Sequence, residues 1–473
     1  MLTTVAVSGY RSLRDVVVPL HGLDVVTGAN GSGKSSLYRA LRLLAGCGRG
    51  DVVGTLAREG GLQSALWAGP ATLGGARREG HAVQGTARKG PISLRLGFAS
   101  DDLGYLVDLG LPQQSSGRHE GGDVSAFLRD PEIKREVVWS GPVMRPGSVL
   151  VRRRWGRVET RAPVGADDGW DDSWGGDDEW ESDPTATVGA RERARGDGAG
   201  TGSSGGARRG WVELTRSLRP WESMLTELAD PERAPELIRV RRMIRGWRFY
   251  DSFRADAAAP ARVAHVGTRT PVLSDDGHDL PAALQTIREH GRSVLDRAVA
   301  DAFDGAILEV TVEGGRFDVA LHQPGMLRPL SSAELSDGTL RYLLLVAALL
   351  TVDPPPLLVL NEPETSLHPD LLPPLARLIR AAAERSQVMV VSHSERLVAE
   401  LGIGGEPRDN DAAGDGEGDG HTDDRLEADD AEAQEPGLGS PARSITLVKD
   451  LGETFVHGQG LLTTPAWTWG TRQ

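Results

Sequence analysis

A glycine-rich loop near the start of the chain constrains its fold more than any other feature. The segment Gly28-Ala29-Asn30-Gly31-Ser32-Gly33-Lys34-Ser35 matches G-x-x-x-x-G-K-[ST], a loop whose backbone N–H groups surround phosphate oxygens. The apolar run 23–27 predicts a strand before the loop. Apolar residues at helical spacing over 37–45 predict a helix whose N-terminus faces the phosphates. A strand, this loop and a helix in that order predict an α/β fold that binds a nucleotide.

The loop also predicts which side chains hold the nucleotide. Lys34 would place a positive charge beside the β- and γ-phosphates, and the Ser35 hydroxyl would bind Mg²⁺. The alternative is a chance match in a chain with 60 glycines, which the predicted strand and helix disfavour. The residues predicted to bind the nucleotide are Gly28, Asn30, Gly31, Gly33, Lys34, Ser35 and Ser36.

A second set of polar residues follows an apolar run late in the chain. The run 356–360 predicts a buried parallel strand that ends at Asn361 and Glu362, at the edge of the sheet where α/β sites lie. Glu362 is the candidate general base that polarises the attacking water. An aspartate at such a strand end commonly helps to hold the Mg²⁺ of a nucleotide bound in a phosphate loop, whereas this chain has Asn361. An amide can accept a hydrogen bond from a metal-bound water but carries no charge, so we expect weak Mg²⁺ retention and slow turnover.

The next predicted strand, 387–391, ends just before His393. A histidine at this position can contact the γ-phosphate and sense its loss. The alternative is an ordinary surface or core histidine, but the spacing of 31 residues from Glu362 favours the catalytic interpretation. Apolar residues over 371–382 predict a helix between the two strands, with two prolines in its first turn.

The segment Leu335-Ser336-Asp337-Gly338-Thr339 precedes a predicted helix over 340–350. Ser336, Gly338 and the first N–H groups of that helix predict a second anion-binding end. A single subunit cannot easily place this end on the nucleotide bound at its own Lys34. The alternative is that Ser336 is an ordinary N-cap.

Together these motifs resemble the ABC-type ATPase heads of the RecF/SMC group, and more narrowly a bacterial RecF-like family of predicted ATPases. The resemblance implies binding of ATP and Mg²⁺, hydrolysis, and a homodimer that closes around ATP. It also implies that Ser336, Asp337 and Gly338 contact the γ-phosphate held by the partner subunit, and that the protein acts on DNA in repair, replication or defence. Asparagine at position 361 is usual in the narrower family. The stretches that resemble this narrower family are residues 9–13, 130–134, 247–250, 334–342 and 361–369.

Three further residues are candidates for contact with the nucleotide or its metal. Arg11 follows the first predicted strand, as in the resembling group, although an exposed arginine is the simpler interpretation. Gln63 and either Gln113 or Gln114 are candidates for the glutamine that senses the metal, and no feature of the sequence decides between them.

The predicted architecture is a P-loop NTPase head of the ABC/RecF type with a parallel sheet core, an adjoining antiparallel β-subdomain and a helical lobe. Alternating stretches within 92–111 and 149–158 predict antiparallel strands, and 211–245 and 280–303 have helical patterns. No segment sustains the heptads of a coiled-coil arm. The predicted boundaries are 1–165 for the nucleotide lobe with the β-subdomain, 166–209 for an insert, 210–300 for the helical lobe, 301–403 for the lobe with Ser336, Glu362 and His393, 404–443 for a second insert, and 444–473 for a closing strand and tail.

Two acidic segments account for the formal net charge of −14. Residues 166–183 carry nine acidic and no basic residues, interleaved with three tryptophans, and 405–443 carry thirteen acidic and three basic residues. We interpret 166–209 and 404–443, which contain them, as disordered insertions, the alternatives being a mimic of nucleic acid or a tail that docks a partner. The rest of the chain is net positive, so the acidic total does not exclude DNA as a partner.

Two arginine-rich clusters are candidates for that DNA contact, the alternative being ordinary solvated faces. Cys47, the single cysteine, excludes an intrachain disulfide. No apolar run reaches ~18 residues and the N-terminus enters a strand directly, which together predict a cytoplasmic protein without membrane contact. The clusters comprise Arg152, Arg153, Arg154 and Arg157, and Arg239, Arg241, Arg242, Arg245 and Arg248 with Trp247.

Three functions compete on this sequence. The first is an ATP-gated, dimerising head that engages DNA. The second is an ATP-dependent switch for a separate protein partner such as a nuclease effector. The third, the ATPase subunit of a transporter, ranks last because Lys34 and Glu362 are 328 residues apart, far more than in transporter subunits of the resembling superfamily.

Overall fold

The structure is a computed structural model. It describes residues 1–69, 93–112, 130–162, 210–251, 253–403, 441–460 and 462–470. These residues form two compact units, each assembled from separate segments of the chain. Unit 1 comprises Met1–His21, Thr27–Trp247 and Ile445–Gln473, and unit 2 comprises Gly22–Val26 and Arg248–Ser444.

Some sequence predictions fall outside the described residues. The two predicted insertions, 166–209 and 404–443, lie outside them apart from 441–443. Gln113 and Gln114 lie outside them as well, so the choice of sensing glutamine stays open.

The described part of the chain contains both strands and helices. The strands are β1 (Leu2–Tyr10), β2 (Leu13–Pro19), β3 (Leu23–Thr27), β4 (Ser93–Ser100), β5 (Leu103–Gly110), β6 (Glu132–Ser140), β7 (Val149–Arg154), β8 (Arg157–Arg161), β9 (Trp211–Thr215), β10 (Arg248–Tyr250), β11 (His265–Val266), β12 (Ile307–Glu313), β13 (Arg316–His322), β14 (Leu330–Ser331), β15 (Leu357–Asn361), β16 (Gln387–Val391), β17 (Arg443–Asp450) and β18 (Glu453–Val456). The α-helices are α1 (Lys34–Arg49), α2 (Val52–Arg58), α3 (Leu62–Ala65), α4 (Met224–Glu227), α5 (Pro235–Arg245), α6 (Leu280–Ala302), α7 (Asp337–Leu349), α8 (Leu372–Ala383) and α9 (Glu395–Glu400).

Unit 1 is built on an antiparallel sheet in the order β2-β1-β4-β5-β6-β7-β8-β9. The alternating patterns in the sequence are confirmed by β4, β5, β7 and β8. The helical pattern predicted over 211–245 is wrong at its start, because Trp211–Thr215 is the edge strand β9 and pairs with β8. Helix α5 then contributes Leu237, Val240 and Ile244 to the core.

A buried ion pair lies within this sheet. The Arg153 guanidinium donates to Glu136 Oε2 at 2.7 Å, and both side chains are fully buried. Glu136 also accepts hydrogen bonds from the Tyr105 and Ser223 hydroxyls and from the Met224 amide. A buried charge needs such partners, so the positive charge of Arg153 is neutralised inside the sheet rather than presented to a phosphate.

Unit 2 is built on parallel strands in the order β10-β15-β16-β3. Strand β16 is buried throughout and β15 up to its last residue, which explains the continuous apolar runs. The predicted helix between β15 and β16 is confirmed as α8, with Pro373 and Pro374 in its first turn. The almost wholly buried α7 packs in the same core, and β11, β12, β13 and β14 form a smaller antiparallel sheet.

The predicted closing strand is one strand of a hairpin, most of which lies in unit 1. Strand β17 pairs antiparallel with β18, from Leu447↔Val456 to Asp450↔Glu453. The residues after the hairpin pack on the same unit, where the rings of Trp139 and Trp467 meet edge to face with centroids 5.7 Å apart.

Candidate nucleotide site

The phosphate loop lies between β3 and α1, as the sequence predicted, and its shape depends on glycine. Gly28 and Gly33 have φ values of 141° and 112°, in the range that L side chains rarely adopt. A Cβ at Gly28 would collide with the Leu447 carbonyl, and one at Gly33 with the Thr454 side chain. The Thr454 hydroxyl also donates to the Ser32 carbonyl at 2.8 Å. The β17–β18 hairpin therefore supports the loop, a role that no local sequence pattern indicated.

The side chains of the loop fit a phosphate chain. Lys34 is buried and its Nζ donates to the carbonyls of Gly28 (2.6 Å) and Ala29 (3.3 Å), so the ammonium lies within the loop. The Ser32 hydroxyl is buried and has no hydrogen-bond partner among the described residues. Helix α1 begins without a side-chain cap, which leaves its first N–H groups for an anion. Of the other predicted contacts, Asn30, Gly31 and Ser35 are exposed and Ser36 is half-buried.

Arg11 and Gln63 also lie in unit 1. Arg11 has a left-handed backbone (φ 48°), and its guanidinium pairs with Glu59 Oε2 at 3.0 Å. Gln63 is exposed in the short helix α3. The contact with nucleotide or metal that the sequence suggested for each of them stays a prediction.

Glu362 occupies a strained position in unit 2. Its φ is 48°, a left-handed value that costs a non-glycine residue about 1–2 kcal/mol. The Glu362 amide donates to the Val391 carbonyl at 2.8 Å, which fixes the turn to the end of β16. The carboxylate stays 40% exposed, and its Oε1 lies 4.0 Å from His393 Nδ1. The structure therefore brings the predicted base and the predicted sensor together at neighbouring strand ends.

The end of β3 is fixed beside this pair within unit 2. Val26 of β3 pairs with Val391 of β16, and the Ser392 amide donates to the Val26 carbonyl at 3.1 Å. The end of β3 and the turn that carries His393 thus lie at the same edge of the parallel sheet.

Glu364 is a site residue that sequence reasoning missed. It is buried, and its Oε1 accepts hydrogen bonds from the Ser392 hydroxyl (2.6 Å) and from the His393 and Ser394 amides (3.1 and 3.2 Å). The same oxygen lies 3.4 Å from His393 Nδ1. Glu364 therefore holds the turn that carries the histidine. The only signal in the sequence was its place two residues after Glu362.

Asn361 is paired across the sheet. Its Nδ2 donates to Asp251 Oδ1 at 2.8 Å, and its Oδ1 is buried with no partner among the described residues. Asp251 follows β10, which runs parallel to β15 with Tyr250 opposite Leu360. An amide beside a carboxylate must present its nitrogen to it, so the orientation of Asn361 is determined by Asp251.

Arg341 places a buried positive charge near these acidic groups. It lies in α7, and burial lowers the pKa of its guanidinium, while the charges of Asp251, Glu364 and Glu362 act in the opposite direction. The guanidinium thus places one positive charge near the three carboxylates.

Ser336 caps helix α7. Its hydroxyl accepts from the Thr339 amide at 3.1 Å, so the N-cap interpretation is confirmed. A Cβ at Gly338 would lie 3.1 Å from the Ser366 carbonyl, which packs the helix start closely against the turn after Glu364. An N-cap still leaves other N–H groups of the first turn unpaired within the helix, and the contact of Ser336, Asp337 and Gly338 with a partner's nucleotide stays a prediction.

The segment before α7 is held by Arg262, which sequence reasoning also missed. Its buried guanidinium donates to the Leu335 carbonyl and to Asp337 Oδ1, both at 2.7 Å. It also donates to four other carbonyls, those of Ala255, Asp256, Ser332 and Ala333. One side chain thus fixes the path of the chain into the predicted second anion-binding end.

Many side chains of the two arginine clusters predicted to contact DNA form ion pairs or hydrogen bonds within the protein. Trp247 is fully buried and cannot stack on a base. The prediction is wrong for Trp247 and for Arg153, because Trp247 is buried against Phe98 and Arg153 is buried in its ion pair with Glu136. Other members donate within the protein, namely Arg152 and Arg157 to Glu159, Arg239 to Asp102, Arg241 to the Thr226 carbonyl and Arg245 to the Gly48 carbonyl.

Two features are absent from the described residues. None of the helices combines the length and hydrophobicity that crossing a bilayer requires. No group of three or more His, Cys, Asp or Glu side chains is arranged to hold a metal ion within that part of the chain.

One family of known proteins matches part of the chain. Residues 204–399, less than half of the chain, match an AAA domain family whose description refers to a proposed AbiEii toxin of the Type IV TA system. No curated protein sequence matches the chain.

Several solved structures are similar over most of their length. An SMC head bound to the C-terminal winged-helix domain of ScpA shares 13% identity, with 97% of this chain and 98% of that chain covered and a TM-score of 0.45. An SMC head from Pyrococcus furiosus bound to the C-terminal domain of ScpA shares 11% identity (98% and 96% covered, TM-score 0.43). The SMC head from Thermotoga maritima shares 10% identity (97% and 99% covered, TM-score 0.38).

The phosphate loop after β3, the polar carboxyl edge of the parallel strands and the AAA domain match over residues 204–399 together define the class of fold. It is the P-loop NTPase fold predicted from the sequence. Membership of the narrower RecF-like family stays a prediction.

Proposed function

We propose that this protein binds ATP with Mg²⁺ at the phosphate loop, hydrolyses it slowly with Glu362 as general base, and dimerises around the nucleotide. The observation that carries the proposal is the strained Glu362, fixed to the end of β16 with His393 4.0 Å away. Backbone strain of this kind is retained where the surrounding structure imposes it, and it concentrates at functional sites.

Each group in the proposed reaction has a distinct task. The half-exposed Glu362 carboxylate takes a proton from the attacking water. His393 senses the γ-phosphate, while Glu364 holds its turn. Lys34 and the loop amides bind the β- and γ-phosphates. Bound Mg²⁺ would neutralise phosphate charge, and the Ser35 hydroxyl and, through water, Asn361 Oδ1 would hold it. The buried orphan oxygen of Asn361 fits that role because it needs a donor.

Dimerisation follows from the position of Ser336. Arg262 fixes the segment before α7, and the first turn of that helix presents N–H groups that its own N-cap does not satisfy. We propose that Ser336, Asp337 and Gly338 complete the nucleotide site of a second copy of the chain.

The action that ATP gates has two candidates. The first is engagement of DNA, for which the internal pairing of Arg153 and the burial of Trp247 remove part of the support. The second is a switch for a separate protein effector in defence. It is favoured by the family description, which refers to a toxin of a Type IV TA system.

The test is the mass of the Glu362→Gln protein in solution, measured by light scattering with and without Mg²⁺ and ATP. We expect a shift from monomer to dimer when Mg²⁺ and ATP are added without DNA. Lys34→Ala should bind no ATP and stay monomeric, and Ser336→Arg should bind ATP and stay monomeric. A Glu362→Gln protein that binds ATP and nevertheless stays monomeric would refute the composite site. A DNA duplex added in parallel separates the two candidates, since only the first predicts that the ATP-bound dimer retains DNA.

A further inference from the structure

We propose that Asp251 supplies the negative charge that Asn361 lacks, so that the metal side of the site is an Asp251–Asn361 pair divided between two strands. The inference rests on the proposed function. It concerns the carboxyl edge of β10 and β15, where two neighbouring parallel strands end side by side.

The first argument is geometric. Tyr250 pairs with Leu360 in the parallel ladder, so the next residue of each strand, Asp251 and Asn361, occupies the same level of the edge. The two side chains are joined by a 2.8 Å hydrogen bond from Nδ2 to Oδ1. The carboxylate is exposed, whereas the amide oxygen is buried. One charged and one neutral acceptor therefore lie together beside Glu362.

The second argument explains why position 361 carries an amide. An aspartate there would place two carboxylates at hydrogen-bond distance, and like charges so close cannot both stay ionised. Glu362 and Glu364 already add negative charge to this edge, and Arg341 offsets only part of it. With Asp251 present, asparagine preserves an acceptor without a fourth charge. Asn361 is then a partner of Asp251 rather than a weakened aspartate.

The third argument comes from the requirements of Mg²⁺. Magnesium keeps several waters and is held by one or two carboxylates together with substrate phosphates rather than by a cage of protein ligands. The described residues contain no such cage. A single exposed carboxylate and one orphan amide oxygen match this mode of binding. They can order metal-bound waters, the amide as an acceptor and Asp251 as the charge.

The experiment measures metal dependence rather than turnover. Binding of N-methylanthraniloyl-ATP is followed by fluorescence as Mg²⁺ is raised. We expect Asp251→Asn to raise the Mg²⁺ midpoint about tenfold, the usual effect of losing an outer-shell partner, and to leave metal-free binding unchanged. Adding Asn361→Asp to Asp251→Asn should return the midpoint toward that of the parent, because the charge is restored one strand away. A merely structural role for Asp251 predicts no such rescue.

Controls separate the outcomes. Asp256→Asn removes an exposed carboxylate of the same region that pairs with Arg254, and it should leave the midpoint unchanged. Thermal unfolding of Asp251→Asn shows that the variant is folded. If the parent requires Mg²⁺ and Asp251→Asn has the same midpoint, or if the double variant is no better than Asp251→Asn, the inference is overturned while the proposed function stands. If the parent binds no nucleotide with or without Mg²⁺, both are overturned.

Discussion

Replacement of Arg262 tests how the segment that carries Ser336 is held. The guanidinium is buried and donates to five backbone carbonyls and to Asp337 Oδ1. Hydrogen bonds to a charged group contribute about 1.5–3 kcal/mol each when measured singly. The carbonyls can regain water once the segment loosens, so the terms do not add. We expect Arg262→Leu to lower the free energy of unfolding by about 2–3 kcal/mol, the cost of leaving a buried acceptor without its donor.

The assay combines urea denaturation with hydrogen exchange of the peptide that covers residues 332–340. Arg262→Lys keeps the charge but has fewer donors and no planar fork, so we expect an intermediate loss. Arg254→Leu is the matched control, because it removes an exposed arginine that pairs with Asp256. Exchange should accelerate over 332–340 in Arg262→Leu and stay unchanged in the control. A loss below about 1 kcal/mol, within the ordinary range of point mutations, would refute the reasoning.

Two further predictions concern carboxylates near the site. Glu364→Gln should reduce ATP turnover by about tenfold or more with little change in ATP affinity, because the residue holds His393 without being placed to bind the nucleotide; equal losses in both quantities would contradict this role. The Arg328 guanidinium and the Ser331 amide and hydroxyl lower the pKa of Glu334 from 4.5 to about 2. A depressed carboxyl pKa stabilises the fold fully above pH 4.5, and the contribution disappears as the pH falls toward 2. The stability difference between the parent and Glu334→Gln should therefore be constant above pH 4.5 and shrink below it, as thermal unfolding at a series of pH values would show.

Much of the fold could be predicted from local patterns in the sequence. The phosphate loop, the buried strands around it and helix α8 depend on residues within one or two turns of each other, so their periodicity and spacing predicted them. The strand Trp211–Thr215 was missed because an edge strand is defined by its neighbour, β8, rather than by its own composition.

The site was predicted less completely for a related reason. Glu362 and His393 directly follow apolar runs that predict strands, so the sequence indicated both as candidates. The partner of Asn361 lies 110 residues earlier, and the carbonyls that Arg262 fixes lie up to 73 residues later, so no window of sequence contains both members. DNA contact was wrongly predicted for Arg153 for the same reason, since its partner Glu136 lies on another strand.

The division of the chain into two units has a consequence for its synthesis. Strand β3 is made long before the other strands of unit 2, yet it completes the parallel sheet only by pairing with β16, where Leu23 meets Val388, 365 positions later. At 5–20 residues per second, a ribosome needs about 20–70 s to make that partner. Throughout that interval, the apolar strand that leads into the phosphate loop must be kept from aggregating. A fragment that starts at residue 248 would contain all strands of unit 2 except β3, so β16 would lack its partner on one side.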